Sequence, residues 1–417
     1  MLRPEEVFTP GKIPINSTNV YVNRGEEQTN FQKTLRRGLI PIIYGEYGVG
    51  KTSMAQYCCK DDQAEGRLVN ISNVEGMSIE DIKRHCLDII DFEQIVSTSK
   101  KKGTSYKHSQ SGSAGANAGA FSAKLSSTRE STNSGEESEV RERLIQEPSN
   151  EKFIDICEAS RVMLIVDELH KMNDECRHQL AEFIKSYANK NCRDFRIALL
   201  GTSYDASKLV DIDIGIDRII CEIKLSSLTD EEAELIIQKG MHDLQITVNE
   251  SVVNNLIKLS CGSPNMLQFL CLETADNVFD SDKRLVEICD IEKALRNYLE
   301  QKASRLYRRF KVAIETSGPI RYRTQILKAM SQIEDEFVET DEIAKRVAAL
   351  LDCDVATHQI STPLSALKSE EKGRILQDVI GDDGKRVHGL TCFSDPAMKS
   401  FIRTCFATNE LFPDLEI

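Results

Sequence analysis

Residues 36–52 read RRGLIPIIYGEYGVGKT. The run 36–44 is short, rich in isoleucine and stops at a glycine, which predicts a buried strand. Gly45-Glu46-Tyr47-Gly48-Val49-Gly50-Lys51-Thr52 then fits the pattern G-x-x-x-x-G-K-[ST], and from Ser53 the chain continues as a helix to 59. Glycines at this spacing let successive main-chain N–H groups turn inward around phosphate oxygens, and the helix N-terminus adds positive potential. Lys51 would reach the β- and γ-phosphates, and the Thr52 hydroxyl would ligate Mg²⁺. The expected ligand is therefore a polyphosphate with Mg²⁺, held by residues 45–53.

Outward from this loop, strands and helices alternate. Strands are expected at 67–71, 162–166, 195–200 and 219–225, and helices at 79–95 and 174–189. Strand, helix, strand, helix is the pattern of an α/β protein with a parallel sheet covered on both faces. The run VMLIV at 162–166 is wholly apolar and ends in Asp167-Glu168. An aspartate at such a strand tip can organise Mg²⁺, and the neighbouring glutamate can activate water as general base. Phosphotransfer has no need of that glutamate, so hydrolysis is the favoured reaction. The strand 195–200 ends in Gly201-Thr202-Ser203, where a hydroxyl either feels the γ-phosphate or simply caps a strand. Arg218, just before the last core strand, is either a finger acting on phosphate charge in a neighbouring subunit or an exposed ion-pair partner.

The segment 97–139 is rich in Ser, Gly and Ala and poor in large apolar groups, so it cannot offset its ordering entropy by burial. It is expected as a flexible insertion, or as a mobile partner loop with Lys100, Lys101, Lys102 and Lys107 as basic contacts. The N-terminal stretch to residue 23 carries Pro4, Pro10 and Pro14 and is expected as an extended arm. Beyond 225 the chain turns helical, with helices from Thr229, at 250–259 (stopped by Cys261-Gly262), at 265–278 and at 290–314. From 317 the expectation is helices at 322–332, 341–351 and 362–371, then a hairpin at 375–393 around Gly381-Asp382-Asp383-Gly384. Three helices and a hairpin describe a winged helix-turn-helix. The expected domains are a nucleotide-binding core (1–225), a helical lid with connecting helix (226–316) and a winged-helix domain (317–417).

Taken in order, GEYGVGKT, LIVDELH, LLGTS, Arg218, a helical lid containing CGSPN and a winged helix resemble the AAA+ ATPases of the initiator (origin-recognition) clade. The chain is also similar to the related STAND switch ATPases. The resemblance covers most of the chain outside the insertion. It implies that Thr202 or Ser203 is the first sensor and that Arg24, in Val22-Asn23-Arg24-Gly25-Glu26-Glu27, lies near the adenine. In this chain asparagine stands where the family usually has glycine before that arginine. The resemblance also implies that Pro264, in Gly262-Ser263-Pro264, packs against the base. One departure concerns turnover: the helix after Pro264, NMLQFLCLETADNVF, has no Arg or Lys. The lid arginine is missing, with Asn265 near its position, so slow or switch-like use of ATP is expected.

The implied function is an Mg-ATP-dependent switch that forms a homo-oligomer and engages DNA or a protein effector, as in initiators, mobile-element regulators or anti-phage defence. The alternative is a signalling scaffold that holds ATP with little hydrolysis and acts through its winged helix on a protein partner.

Charge narrows the DNA branch. The 417-residue chain carries a net charge of −13 with a pI near 5.2, so it cannot coat nucleic acid with its whole surface. From residue 329 onward nine basic residues face seventeen acidic ones, a balance of −8. Basic character sits upstream at Arg305, Arg308, Arg309, Arg321 and Arg323. The first three share a helix face, which would either grip phosphates or pair with acidic neighbours. The 13 cysteines never form C-x-x-C, which argues for a reduced, cytoplasmic protein and against structural zinc. No run of 18 apolar residues exists to span a membrane, and residues 1–12 lack the apolar core of a secretory signal.

Overall fold

The strands of the central sheet form where a short apolar or alternating run meets a turn. The computed structural model describes residues 2–14, 16, 18–90, 92–100, 137–143, 148–202, 209, 211–315, 322–380 and 385–415. Its strands are β1 (Ile40–Tyr44), β2 (Leu68–Ser72), β3 (Glu93–Lys100), β4 (Glu137–Arg143), β5 (Met163–Asp167), β6 (Arg196–Gly201), β7 (Ile220–Lys224), β8 (Val338–Glu339), β9 (Leu376–Ile380) and β10 (Arg386–Phe393). The helices of the first half are α1 (Pro4–Val7), α2 (Gly25–Arg36), α3 (Lys51–Cys58), α4 (Lys60–Ala64), α5 (Ile79–Ile89), α6 (Asn150–Ala159) and α7 (Asp174–Lys190). Those of the second half are α8 (Asp230–Asp243), α9 (Glu250–Ser260), α10 (Pro264–Asp280), α11 (Ile288–Asn297), α12 (Ser304–Ile314), α13 (Tyr322–Gln332), α14 (Thr340–Leu351), α15 (Thr357–Leu367) and α16 (Ala397–Leu411).

The chain forms two compact units. One comprises Met1–Phe31, Ile43–Cys58 and Ile223–Ile417; the other comprises Gln32–Ile42 and Cys59–Glu222.

The second of these is organised by a five-stranded parallel sheet in the order β2-β5-β6-β1-β7, to which β1 and β7 contribute their first three residues. Strand β5 pairs with β2 from Leu68↔Met163 to Ser72↔Asp167 and with β6 from Met163↔Arg196 to Val166↔Leu199. All five residues of β5 are buried, as an apolar strand in the middle of a parallel sheet must be. Phe153 on α6 meets the rings of Phe183 and Phe195 edge-on at 5.7 and 6.2 Å, a geometry that adds roughly 1 kcal/mol beyond area burial. The Glu158 carboxylate accepts the main-chain N–H groups of Arg193, Asp194 and Phe195, the last at 2.7 Å. Burial raises its pKa, but those three donors outweigh it and hold the group below its usual value. This contact fixes the turn into β6.

Strands β3 and β4 form a two-stranded antiparallel ribbon, from Glu93↔Arg143 to Lys100↔Glu137. Both ends of the segment expected to lack regular structure are therefore strands, and the helix expected to run to 95 stops at Ile89. The pairing satisfies main-chain groups, which polar sequences can do as well as apolar ones. Lys101, Lys102 and Lys107 lie outside the described residues.

In the other unit, α8 to α11 bury one apolar cluster that also takes in Val7, Phe8 and Val20. The N-terminal stretch is thus packed rather than an extended arm. Pro4 opens a helical turn, which proline tolerates at its first position, and Phe8 lies so near Gly240 that a Cβ there would meet its ring at 2.3 Å. The helix expected at 290–314 is interrupted by a π turn at Tyr298–Lys302. Tyr298 at that break packs 5.4 Å from Phe269 and 6.3 Å from Phe401.

A second apolar cluster gathers α12 to α16 with β9. Strand β10 pairs antiparallel with β9 (Phe393↔Leu376) and with the short β8 (Thr391↔Val338); the turn 381–384 lies outside the described residues. Helix α15 begins at Thr357 instead of 362, because the Gln359 side chain accepts the Ala356 N–H at 2.8 Å and caps an earlier start. Pro363 is then carried inside the helix. Among the described residues no helix is long and apolar enough to cross a membrane.

Candidate nucleotide site

The glycine loop leaves the end of β1. Leu225 N–H donates to the Tyr44 carbonyl at 2.8 Å, which draws the Leu225 carbonyl against the loop. A Cβ at Gly45 would stand 2.3 Å from that oxygen, so only glycine fits. Gly48 and Gly50 have φ of +85° and +94°, the left-handed region where glycine carries no steric penalty. The Gly50 carbonyl accepts Met54 N–H at 2.9 Å, and α3 starts there. Lys51 Nζ folds over the loop and donates to the carbonyls of Gly45 and Glu46 at 2.8 and 3.0 Å. Thr52 and Ser53 are half-buried in the first turn of α3, Val49 is buried, and Tyr47 is exposed.

Two partners border this loop within the same unit. Arg24 is buried; its guanidinium donates to Val49 O at 3.0 Å and to Ser226 O at 2.5 Å, and stands 3.3 Å from the Glu232 carboxylate. All three contacts are to protein, so what this geometry displays is a residue that holds the loop in place. The lid turn is the other partner: Cβ atoms at Gly48 and Gly50 would lie 3.5 Å from Ser263 Oγ and from the Pro264 ring. Ser263 caps α10, accepting Met266 N–H at 3.4 Å. Asn265 is exposed at the start of that helix.

A third set of contacts is not legible in any motif. Glu46 accepts a two-pronged hydrogen bond from Arg403 at 2.6 and 2.9 Å and pairs with Lys399 at 2.7 Å. Both cations lie on α16. Lys399 also donates to Glu334 O at 2.9 Å, Arg403 to Ser331 O, and neighbouring Thr404 to Leu259 O at 3.2 Å. Burial raises the Glu46 pKa, yet Arg403 and Lys399 outweigh it and hold the carboxyl below its ordinary value. Lys399 is held below its own ordinary value by burial, with Arg403 adding repulsion.

The acid pair lies in the other unit. Asp167 is the last residue of β5, buried, and its carboxylate accepts Glu168 N–H at 2.7 Å. Asn73, at the end of β2, donates to the Asp167 carbonyl through its main-chain N–H at 3.1 Å and its side-chain amide at 2.7 Å. Glu168 adopts φ 61°, ψ 43°, a left-handed conformation that costs a non-glycine residue roughly 1–2 kcal/mol. Its carboxylate lies 2.6 Å from Lys171 Nζ and 3.6 Å from His170 Nε2. Thr202 is half-buried just past β6. Arg218 is exposed and makes no hydrogen bond or ion pair among the described residues. Ser203 lies outside the described residues.

The family model of the AAA domain matches residues 35–210, the span that holds the loop, the acid pair and Thr202. Among solved structures the chain is similar to the Walker-type ATPase PABY2304 of Pyrococcus abyssi, with 14% identity, 94% of this chain and 99% of that one covered, and a TM-score of 0.50. The fold is AAA+. The chain is also similar to Cdc6p from Pyrobaculum aerophilum (10% identity, 98% of each chain covered, TM-score 0.45). A further similar structure is the Aeropyrum pernix ORC1 protein in complex with DNA (12% identity, 100% and 98% covered, TM-score 0.46). At such identities the likeness concerns fold alone. No curated protein matches the sequence.

On this AAA+ fold the glycine loop is a cradle that a Cβ would fill, and the Thr52 hydroxyl at the head of α3 is a hard oxygen donor of the class that Mg²⁺ selects. These residues fit a magnesium nucleotide.

Of the two readings of the basic stripe, pairing with neighbours describes Arg305 and Arg309. Arg305 pairs with Asp395. Arg309 donates to Gly373 O at 2.7 Å, to Ser394 Oγ at 2.6 Å and to Arg374 O. Arg323 donates to Ala313 O at 2.6 Å and to Glu315 O. Arg308 is exposed and reaches only its own helix, at Ser304 O. Helical spacing puts Arg305, Arg308 and Arg309 on one face of α12, where Arg309 clamps the turn before β9 and Arg305 pairs with Asp395, while Arg308 stays exposed. Arg321 lies outside the described residues.

Proposed function

We propose that the protein is an Mg-ATP-dependent ATPase that works as a nucleotide-controlled switch, forming a homo-oligomer and acting on a protein effector. The observation that carries the reading is the glycine loop, whose left-handed Gly48 and Gly50 and bridging Lys51 suit a polyphosphate. In this reading Gly45, Glu46, Tyr47, Gly48, Val49 and Gly50 cradle the phosphates, Lys51 binds the β- and γ-phosphates, and Ser53 completes the helix start. By their motifs Thr52 and Asp167 are each proposed as donors to Mg²⁺, which when bound would neutralise phosphate charge. Glu168 takes a proton from the attacking water, and Thr202 or Ser203 senses the γ-phosphate. Pro264 lies against the base and Arg24 holds the loop beside it.

Arg218, exposed and uncommitted, supports an arginine finger acting across a subunit interface, and hence the oligomer. The helices α13 to α15 with β8 to β10 support a winged helix as the effector arm. The commitment of Arg305, Arg309 and Arg323 to internal partners favours a protein effector over DNA. Thirteen free cysteines suit a reducing cytoplasm.

A second reading, an ATP-holding scaffold with little hydrolysis, draws on two observations. Glu168 is paired with Lys171, and α10 carries no cation. Turnover of wild type against Glu168→Gln separates the two. Loss of turnover with ATP retained supports the ATPase; equal inactivity with ATP bound to both supports the scaffold. DNA is tested by ATPase stimulation and by binding at two salt concentrations.

A further inference from the structure

The Glu46 contacts are unusual in their placement. An acid occupies the second position of a loop whose amides and lysine serve anions, and its charge would oppose a polyphosphate. It is answered by two cations from the last helix, 353 and 357 residues further along the chain. Arg403 grips both carboxylate oxygens (2.6 and 2.9 Å) and Lys399 adds a contact at 2.7 Å. These are partly buried groups, with side chains 22% (Glu46), 19% (Arg403) and 11% (Lys399) exposed, so water screens them less than a surface pair. The same two cations fasten α16 to the residues after α13, through Ser331 O and Glu334 O. The main-chain carbonyl of Glu46 is also one of the two that Lys51 Nζ bridges, at 3.0 Å. One residue thus joins the phosphate-facing lysine to the terminal helix.

We propose that Arg403 and Lys399 are positioning residues of the phosphate loop, acting through Glu46 to hold it in its nucleotide-ready form, so that nucleotide occupancy and docking of α16 stabilise each other. The proposal rests on the nucleotide-binding reading above. The clasp offsets the Glu46 charge, so an incoming polyphosphate meets no uncompensated carboxylate at the second position of the loop. Because linkage is reciprocal, nucleotide that needs an ordered loop must in turn tighten α16 on Glu46. The terminal helix would thereby report the state of the loop without touching the nucleotide.

The experiment pairs calorimetric titration of Mg-ATP with hydrogen exchange of 398–411 in the full chain. Wild type, Glu46→Gln, Arg403→Met, the double variant and the milder Arg403→Lys and Lys399→Met are compared. Each strong single variant should weaken nucleotide binding by about fivefold or more, within the usual range of coupling. The double variant should be no weaker than the worse single one, and Arg403→Lys should retain part of the affinity. Bound nucleotide should slow exchange in 398–411 of wild type and have a smaller effect in Glu46→Gln. Multiplicative losses in the double variant, or nucleotide binding to wild type that leaves this exchange unchanged, would overturn the coupling alone. Absence of any binding to folded wild type would remove the nucleotide reading and the coupling with it.

Discussion

The side-chain amide of Asn73 donates to the main-chain carbonyl of Asp167 at 2.7 Å, alongside the Asn73 main-chain N–H at 3.1 Å. The tip of β5 is therefore fixed from β2, and the Asp167 carboxylate is presented by a held backbone. Asn73 is fully buried and its Oδ1 has no hydrogen-bond partner. Asn73→Ala would lose one buried hydrogen bond but also remove an unsatisfied acceptor, so its cost should be only about 1 kcal/mol. Urea denaturation measures this; a loss above roughly 3 kcal/mol would mean that the amide has partners beyond Asp167.

Glu168 holds a left-handed backbone that glycine adopts without a steric penalty. Glu168→Gly should therefore leave stability unchanged or raise it by up to about 1 kcal/mol, since the surface pair with Lys171 contributes little. Hydrolysis should disappear in the same variant. A clear fall in melting temperature would show that the strain is not located at this residue.

Gly45→Ala places a methyl group 2.3 Å from the Leu225 carbonyl. The β1–β7 end must then separate, with an expected loss of about 1–3 kcal/mol together with weaker nucleotide binding. Gly11→Ala is a control with open space around its Cβ, although it too pays for a positive φ. If the two variants melt alike, the close approach at Gly45 is not what that glycine serves.

Glu46 links stability to acid. Its ordinary pKa is 4.5, and in the folded chain it lies lower. Between those two values the unfolded chain binds the proton and the folded chain does not. The stabilisation is therefore complete above about pH 6, begins to fall as the pH drops through 4.5, and is gone below the folded pKa. Denaturation at a series of pH values should show the stability gap between wild type and Glu46→Gln constant above pH 6 and closing below 4.5. A gap that widens on acidification would reverse the assigned direction.

The loop, the acid pair and the parallel sheet were legible because each is written in contiguous residues: a glycine spacing, a wholly apolar strand, an Asp-Glu at its tip. What joins distant residues was not. Nothing near Glu46 announces Arg403, and a basic pair four residues apart on a terminal helix is commonplace. Arg305 and Arg309 share a helix face, as their spacing requires, yet which surface that face meets depends on the turn before β9. Phe8 is read as part of a proline-rich arm until Gly240 is seen to leave room for its ring. The ribbon of β3 and β4 was missed for a different reason, since main-chain pairing between polar strands leaves almost no trace in hydropathy.

The account depends most on a magnesium nucleotide lying in the cradle under Lys51. Calorimetric titration of Mg-ATP into wild type and Lys51→Ala tests this directly, with circular dichroism confirming that both are folded. Saturable heat with wild type and at least a hundredfold weaker binding by the variant is the predicted result. Identical isotherms, whether both silent or both saturable, would contradict it.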